Sequence, residues 1–485
     1  MKKNKFKFIL PLLFCSVVGF SIGFITSKSV TLVEALQLDS SDDYKILKTF
    51  TDVIGLVEKN YVEPVNLDSL VEGAIKGMLV VLDPHTSYMN KELYKSLKEE
   101  TAGEFGGLGI EINVKDGTLT VVSPIEDSPA FRAGVKAGDQ IVKIADEFTK
   151  NLSLEDAVKK MRGPKGTSIK IFVSRKGRKD LLPITIVRDV IKVKSVRYRR
   201  LGADYGYIRL AQFQDGSSAE FHEALEKLGG EEGKKLKGLI VDVRNDPGGL
   251  LNEAIRISDL FLKEGVVVYT EGRLESQKQK YYAHDDGSEP EYPIILLINE
   301  GSASASEIVA GALQDHKRAL IMGKQSFGKG SVQTVLPMED GDALRLTTAL
   351  YYTKNGRSIQ AEGIKPDIEV DFKGPEEDKK AGVLLPRIKE KDLPGAIKNP
   401  LKDDNKVVPP MTPSEEMPED QEVQEPMTMK TFMEMDLNEL LKLDNQIAEA
   451  LKLLKTWDTF KKSNPLVASG EVQSQDETST NEKKD

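Results

Sequence analysis

Two short runs, residues 239–243 and 294–298, are apolar at nearly every position, and each leads through a turn of small residues into a helical pattern. A strand without polar alternation has no face to offer water, so both of its faces must be covered. Strand-like segments 206–210 and 319–322 and helix-like segments 217–228 and 250–262 alternate with these runs. That alternation predicts a layered α/β core over residues 193–373.

The chain has 485 residues, more than one core fills. Residues 39–100 read as helical. Ile46, Phe50, Val53, Ile54 and Val57 recur at helical spacing, a second helix is expected over 67–82, and Asp83-Pro84-His85 breaks the pattern. Residues 101–190 form a β-rich unit, in which Gly106-Gly107-Leu108-Gly109 leads into alternating Ile110, Ile112 and Val114. Its helix, 153–161, opens with Ser153 as N-cap and Asp156 three positions on. Residues 374–436 are charged and proline-rich and read as a linker; a single helix is expected over 437–462, and 463–485 form a disordered tail.

The start of the chain sets the compartment. Lysines at positions 2, 3 and 5 precede an apolar run over 6–25, close in length to a membrane span. This reads as a secretory signal or an N-terminal anchor; with no clear A-x-A site following, the anchor is favoured. The body would then be exported, periplasmic or extracytoplasmic, and tethered to the inner (cytoplasmic) membrane. The single cysteine, Cys15, lies inside the run, which leaves the exported part without disulfides or a thiol nucleophile. Hydrophobic residues at 39% and charged residues at 30% suit a soluble globular body, and a net charge of −9 argues against a nucleic-acid binder, which needs a basic surface.

Three segments carry chemistry. Asn299-Glu300-Gly301-Ser302-Ala303-Ser304-Ala305-Ser306-Glu307 ends a strand and opens a helix, where a serine hydroxyl would face the free N–H groups of a helix start. Small residues there also serve tight packing. Phe327-Gly328-Lys329-Gly330 sets a lysine between glycines without the rest of a P-loop. Such a lysine binds anions, or serves as a base if burial lowers its pKa. Asp242-Val243-Arg244-Asn245-Asp246-Pro247-Gly248-Gly249 is a turn whose glycines can bring backbone close to a ligand or simply connect strand to helix. A histidine base fits poorly, because His316 would lie about 18 Å along the helix from Ser304.

In this order, with the glycine-led β-rich unit before them, the segments resemble the carboxy-terminal processing peptidases, or tail-specific proteases, of peptidase family S41, over roughly residues 40–375. The resemblance implies a multidomain α+β and α/β chain: an N-terminal helical region, a PDZ-like β-rich domain, a layered α/β peptidase core of the ClpP/crotonase-like type, and a helical C-terminal extension. It implies Ser304 as nucleophile, Lys329 as general base, Gln333 as the residue that helps hold the lysine, and the amides of Gly249 and Ala305 as the oxyanion hole. Ser302 and Ser306 become packing neighbours, Glu307 and Asp315 supporting acids, and His85 part of a structural turn. Neither a metal nor a cofactor is needed.

In the PDZ-like mode a protein C-terminus adds as a strand beside Ile110, its carboxylate held by Gly107-Leu108-Gly109, with Val158 and Met161 forming a groove wall. Protein substrates chosen by their tails are the expected partners. The helices at the two ends are candidates for contacts between copies of the chain. Two rival readings are an inert, membrane-tethered PDZ scaffold and an enzyme of acyl-CoA chemistry. Retention of Ser304, Lys329 and Gln333 argues against the first, and export argues against the second.

Overall fold

The computed structural model describes residues 41–463, apart from 116, 126, 231–234, 374–387 and 403–432. The apolar run 6–25 with Cys15, most of the expected linker and residues 464–485 lie outside the described residues. Among the described residues, no helix is long and apolar enough to cross a membrane. Contacts divide the chain into two compact units, Met1–Ala74 and Ile75–Asp485.

The first unit holds α1 (Ser41–Asn60) and the start of α2 (Leu67–Val80), close to the expected bounds. In α1, Ile46, Phe50 and Val53 are exposed.

The second unit departs at once from the helical reading of 39–100. A short strand, β1 (Ser87–Met89), precedes α3 (Lys91–Ala102), whose first turn is capped by Asn90 accepting from the amide of Leu93 at 3.0 Å. Three residues show no periodicity of their own, and β1 exists because it pairs with a strand some 250 residues later.

The β-rich part contains β2 (Glu104–Gly107), β3 (Ile110–Lys115), β4 (Thr118–Pro124), α4 (Pro129–Arg132), β5 (Gln140–Ile144), β6 (Glu147–Phe148), α5 (Leu154–Met161), β7 (Ser168–Ser174), β8 (Leu182–Val187) and β9 (Asp189–Lys192). Its antiparallel sheet runs β3-β4-β5-β7-β8, with β6 on β5, while β2 and β9 pair where the chain enters and leaves. Alternate residues such as Ile169, Ile171 and Val173 point into one apolar cluster with Ala157 and Met161 of α5. Ser153 caps α5 as expected, accepting from Asp156 N at 3.1 Å.

The core continues with β10 (Val196–Leu201), β11 (Tyr205–Leu210), α6 (Ser217–Gly229), β12 (Gly238–Asp242), α7 (Leu251–Asp259), β13 (Gly265–Gly272), β14 (Gln279–Ala283), β15 (Ile294–Ile298), α8 (Ala305–Asp315), β16 (Ala319–Gly323), β17 (Ser331–Pro337), β18 (Ala343–Thr353) and β19 (Ile368–Glu369). After it come α9 (Leu437–Leu443) and α10 (Asn445–Ser463). One sheet runs β10-β11-β12-β15-β16-β19, parallel from β11 onward; the other runs β1-β18-β13-β14, with β17 on β18.

The uninterrupted apolar runs now have their cause. In β12 and β15, Leu239, Val241, Ile294, Leu296 and Ile298 face the cluster built with α6, α7 and α8. Ile240, Ile295 and Leu297 face the other way, onto Leu440, Ile447, Ala450, Leu451 and Leu454 of α9 and α10. Strand neighbours alternate in face, so a sheet buried on both sides must be apolar at every step.

Two expectations for the C-terminal part need correction. The predicted single helix is two helices, broken at Asp444, and their apolar residues form a layer of the core. Trp457 and Phe460 of α10 remain exposed. Nor is 374–436 a linker throughout: the described residues 388–402 are fastened to the core, with Glu390 wholly buried. A charged, proline-rich composition registers the lack of a core stripe but not a single buried ionic anchor.

Candidate active site

β12 and β15 are parallel neighbours, Asp242 lying opposite Leu297. The turns leaving their carboxyl ends therefore lie side by side, where ligands bind in open α/β sheets. Side chains sew these turns together. Ser302 Oγ donates to the Val243 carbonyl at 2.7 Å and Ser306 Oγ to that of Asp246 at 3.0 Å. Asn299 Oδ1 accepts from the Asn245 amide at 2.8 Å, and the amide of Ala303 donates to the carbonyl of Asp246 at 3.0 Å. Ser302 and Ser306 thus serve as the packing residues that the resemblance implied.

Gly248 lies against the serine turn itself. A Cβ there would sit 2.8 Å from Ala305 N and 2.9 Å from Ser304 Cβ, and its φ of +97° is a region side chains avoid. Only glycine allows this approach. Neither the amide of Gly249, on the exposed turn, nor that of buried Ala305 has a hydrogen-bond partner among the described residues. Beneath them Asp246 is wholly buried. Its Oδ1 accepts from the Gly248 amide at 2.9 Å and Oδ2 has no partner. Burial pushes its carboxyl up to about 7.

Ser304 has φ +53° and ψ −110° at the N-cap of α8, a conformation rare for any residue but glycine and held only where its surroundings impose it. Here they do. Its amide donates to Glu307 Oε2 at 2.8 Å, and the same oxygen accepts from the amide of Lys329 at 2.9 Å. Glu307 Oε1 takes the amide of Gly328 at 2.8 Å and the hydroxyl of Ser326 at 2.5 Å. Burial pushes Glu307 up to about 7, against the pull of these four donors toward the anion.

Two bonds to one oxygen put the amide nitrogens of Ser304 and Lys329 no farther apart than the sum of their lengths. No hydrogen bond joins the serine hydroxyl to the lysine ammonium, and Lys329 Nζ has neither a hydrogen-bond nor an ion-pair partner among the described residues. Burial lowers the pKa of Lys329, and the nearby Arg345 guanidinium lowers it further. Glu390, Glu307 and Asp83 oppose this shift.

Gln333, expected to hold the lysine, instead donates from Nε2 to Thr347 Oγ1 at 2.9 Å and Ser331 Oγ at 3.2 Å, leaving its buried Oε1 without a partner. Asp315 receives the Asn355 amide at 3.0 Å and pairs with Arg357. His316 caps the far end of α8 and meets the Val266 carbonyl at 2.8 Å, as its spacing from Ser304 required.

The expected tail-binding residues occupy the β-rich part, apart from the serine and lysine turns. Leu108 is buried, Gly109 has φ +74°, and neither amide has a partner among the described residues. Ile110 opens β3, and Gly107 closes β2. Val158 is half-buried and Met161 buried on α5.

The profile of peptidase family S41 matches residues 204–370, a PDZ domain profile matches 120–175, and that of the activating protease CtpB N-terminal domain matches 24–93. A carboxy-terminal-processing protease of Bartonella bacilliformis is 46% identical over 391 residues, covering 80% of this chain and 89% of its own. The carboxy-terminal processing protease CtpA of Bacillus subtilis is 34% identical, covering 76% of this chain and 78% of its own. CtpB of the same organism is 36% identical, covering 69% of each chain. Identity at this level along four-fifths of the chain settles the family: the chain belongs to peptidase family S41 and is a carboxy-terminal processing protease, a serine peptidase that hydrolyses peptide bonds.

Proposed function

We propose that this serine peptidase works with Ser304 as nucleophile and neutral Lys329 as general base, on protein substrates delivered by their C-terminal tails. The observation that carries this reading is a half-buried lysine with no anionic partner in contact, on a loop fastened to the same carboxylate oxygen as the strained Ser304. A lysine must lose its proton before it can take one from serine, and burial drives that loss.

In the proposed cycle, Lys329 takes the Ser304 proton as Oγ attacks the peptide carbonyl. The amides of Gly249 and Ala305 donate to the resulting oxyanion, each contributing about 3 kcal/mol by the usual cost of losing one donor. Lys329 then gives its proton to the departing amine, and a water deprotonated by the same lysine hydrolyses the acyl-enzyme. Because no hydrogen bond joins Ser304 Oγ to Lys329 Nζ at rest, forming that contact belongs to substrate binding, as apo geometry commonly requires.

Upstream, the amides of Leu108 and Gly109 would hold the terminal carboxylate, the tail adding as a strand at Ile110 beside Val158 and Met161. Residues 6–25 would hold the enzyme at the outer face of the cytoplasmic membrane.

The test uses an unfolded protein with an apolar C-terminus, offered with a free or an amidated terminal carboxylate. Wild type should cleave the free form faster, and Ser304→Ala and Lys329→Ala should each abolish cleavage while remaining folded. Full turnover by Lys329→Ala would remove the proposed base, and binding without cleavage by wild type would return the scaffold reading.

A further inference from the structure

We infer that Glu390 is a positioning residue for Lys329, carried into the base's surroundings by the strap 388–402. This rests on the assignment of Lys329 as base and extends it to a segment that no motif marks.

The strap grips the lysine loop on both sides. Before Lys329, the Glu390 amide donates to the carbonyl of Phe327 at 3.3 Å. After it, the amide of Gly330 donates to Gln360 Oε1 at 2.9 Å, and Gln360 Nε2 donates to Glu390 Oε1 at 2.9 Å and to the carbonyl of Ile397 at 3.0 Å. Glu390 and Gln360 are both wholly buried. The other carboxylate oxygen of Glu390 meets His85 Nε2 at 2.8 Å. His85 is itself held by a turn in which Asp83 Oδ1 accepts the amides of His85 and Thr86 at 2.8 and 2.9 Å. One carboxylate thus joins three distant parts of the chain around the loop that presents Lys329.

A buried carboxylate is costly unless paired, and a strap needing only adhesion could have used an apolar residue. What the carboxylate adds is direction through Gln360 and charge near the amine. The charged groups around Lys329 are Arg345 on β18, Glu307 on α8, Asp83 in the turn before β1, and Glu390. Glu390 favours the protonated lysine, so removing its charge makes Lys329 easier to deprotonate.

The experiment compares full-length wild type, Glu390→Gln, Glu390→Ala and Lys329→Ala, measuring kcat and KM across pH with thermal melting as the folding control. In Glu390→Gln the acid limb of kcat/KM should move to lower pH by about half a unit or more. In Glu390→Ala, which frees Gln360, kcat should fall about tenfold or more, with KM little changed. If Glu390→Ala does not fold, the shift in Glu390→Gln carries the test alone. With Lys329→Ala inactive, an unmoved limb in Glu390→Gln overturns the role of Glu390 and leaves the base in place. Activity in Lys329→Ala would instead overturn the base, and this inference with it.

Discussion

The backbone amides of Ser304 and Lys329 donate to one and the same atom, Glu307 Oε2. The nucleophile's turn follows β15 and the base's loop follows β16, so a single carboxylate sets their separation without touching either reacting group. Glu307→Gln would present an amide to at least one of four donors, leaving a buried N–H facing N–H or O–H. We expect kcat to fall about a hundredfold, the scale of an ångström-sized misplacement, with KM changed much less. Steady-state kinetics on folded Glu307→Gln checks this; kcat within a factor of two of wild type would show that the shared oxygen does not set the geometry.

Asp246 makes folding stability depend on pH. Its folded pKa of about 7 lies above the ordinary 3.8. Between these values the folded state keeps a proton that the unfolded chain has lost. The contribution of Asp246 to stability therefore decreases as pH rises from about 4 to about 7, by at most about 1.4 kcal/mol per pH unit, and levels off above, and Glu307, also raised to about 7, acts in the same sense. Lys329, with its pKa lowered, acts in the opposite sense, between its folded value and 10.5. Denaturant unfolding at pH 5, 6 and 7 should show a shallower decline in Asp246→Asn than in wild type. Identical slopes would mean that Asp246 does not titrate in this range.

The buried strands β11, β12, β15 and β16, the helix starts and the serine and lysine turns were legible because each leaves a local trace: an apolar run, a cap residue, a glycine where backbone must approach; the second sheet, β1-β18-β13-β14 with β17, was not. Ser153 and Ser304 are both found at helix N-caps by that logic. Glu390 leaves no such trace. Its partners His85 and Gln360 are 305 and 30 residues away, and one buried carboxylate in a charged stretch looks like any solvated one. Gln333 shows the converse: its position fits the family pattern, yet its amide bonds Thr347 and Ser331. The break at Asp444 was also hidden, because an amphipathic pattern runs straight through it. There the side chain turns to Arg244, while its Oδ1 accepts from the Ile447 amide at 3.0 Å to start the next helix.

That aspartate connects the C-terminal helices to Arg244, the residue that leads into the Gly248-Gly249 turn. Arg244 donates to Asp444 Oδ2 at 2.8 Å and to Asp242 Oδ2 at 2.6 Å, and to Gln446 Oε1 at 2.7 Å, all within a buried network. Asn245, held at φ +54°, follows directly. Removing one partner of a buried ion pair typically costs about 3–5 kcal/mol, because the charge left behind stays buried. Asp242 still faces Arg244, so Asp444→Ala should lie at the lower end of that range. Asp444→Asn, which keeps the helix cap but not the charge, should lose less. If the network also orients the turn bearing Gly249, Asp444→Ala will lower kcat at temperatures where it remains folded. Unfolding curves and kcat for the two variants, measured side by side, decide this; wild-type stability in Asp444→Ala would show that apolar packing alone holds the two C-terminal helices to the sheet.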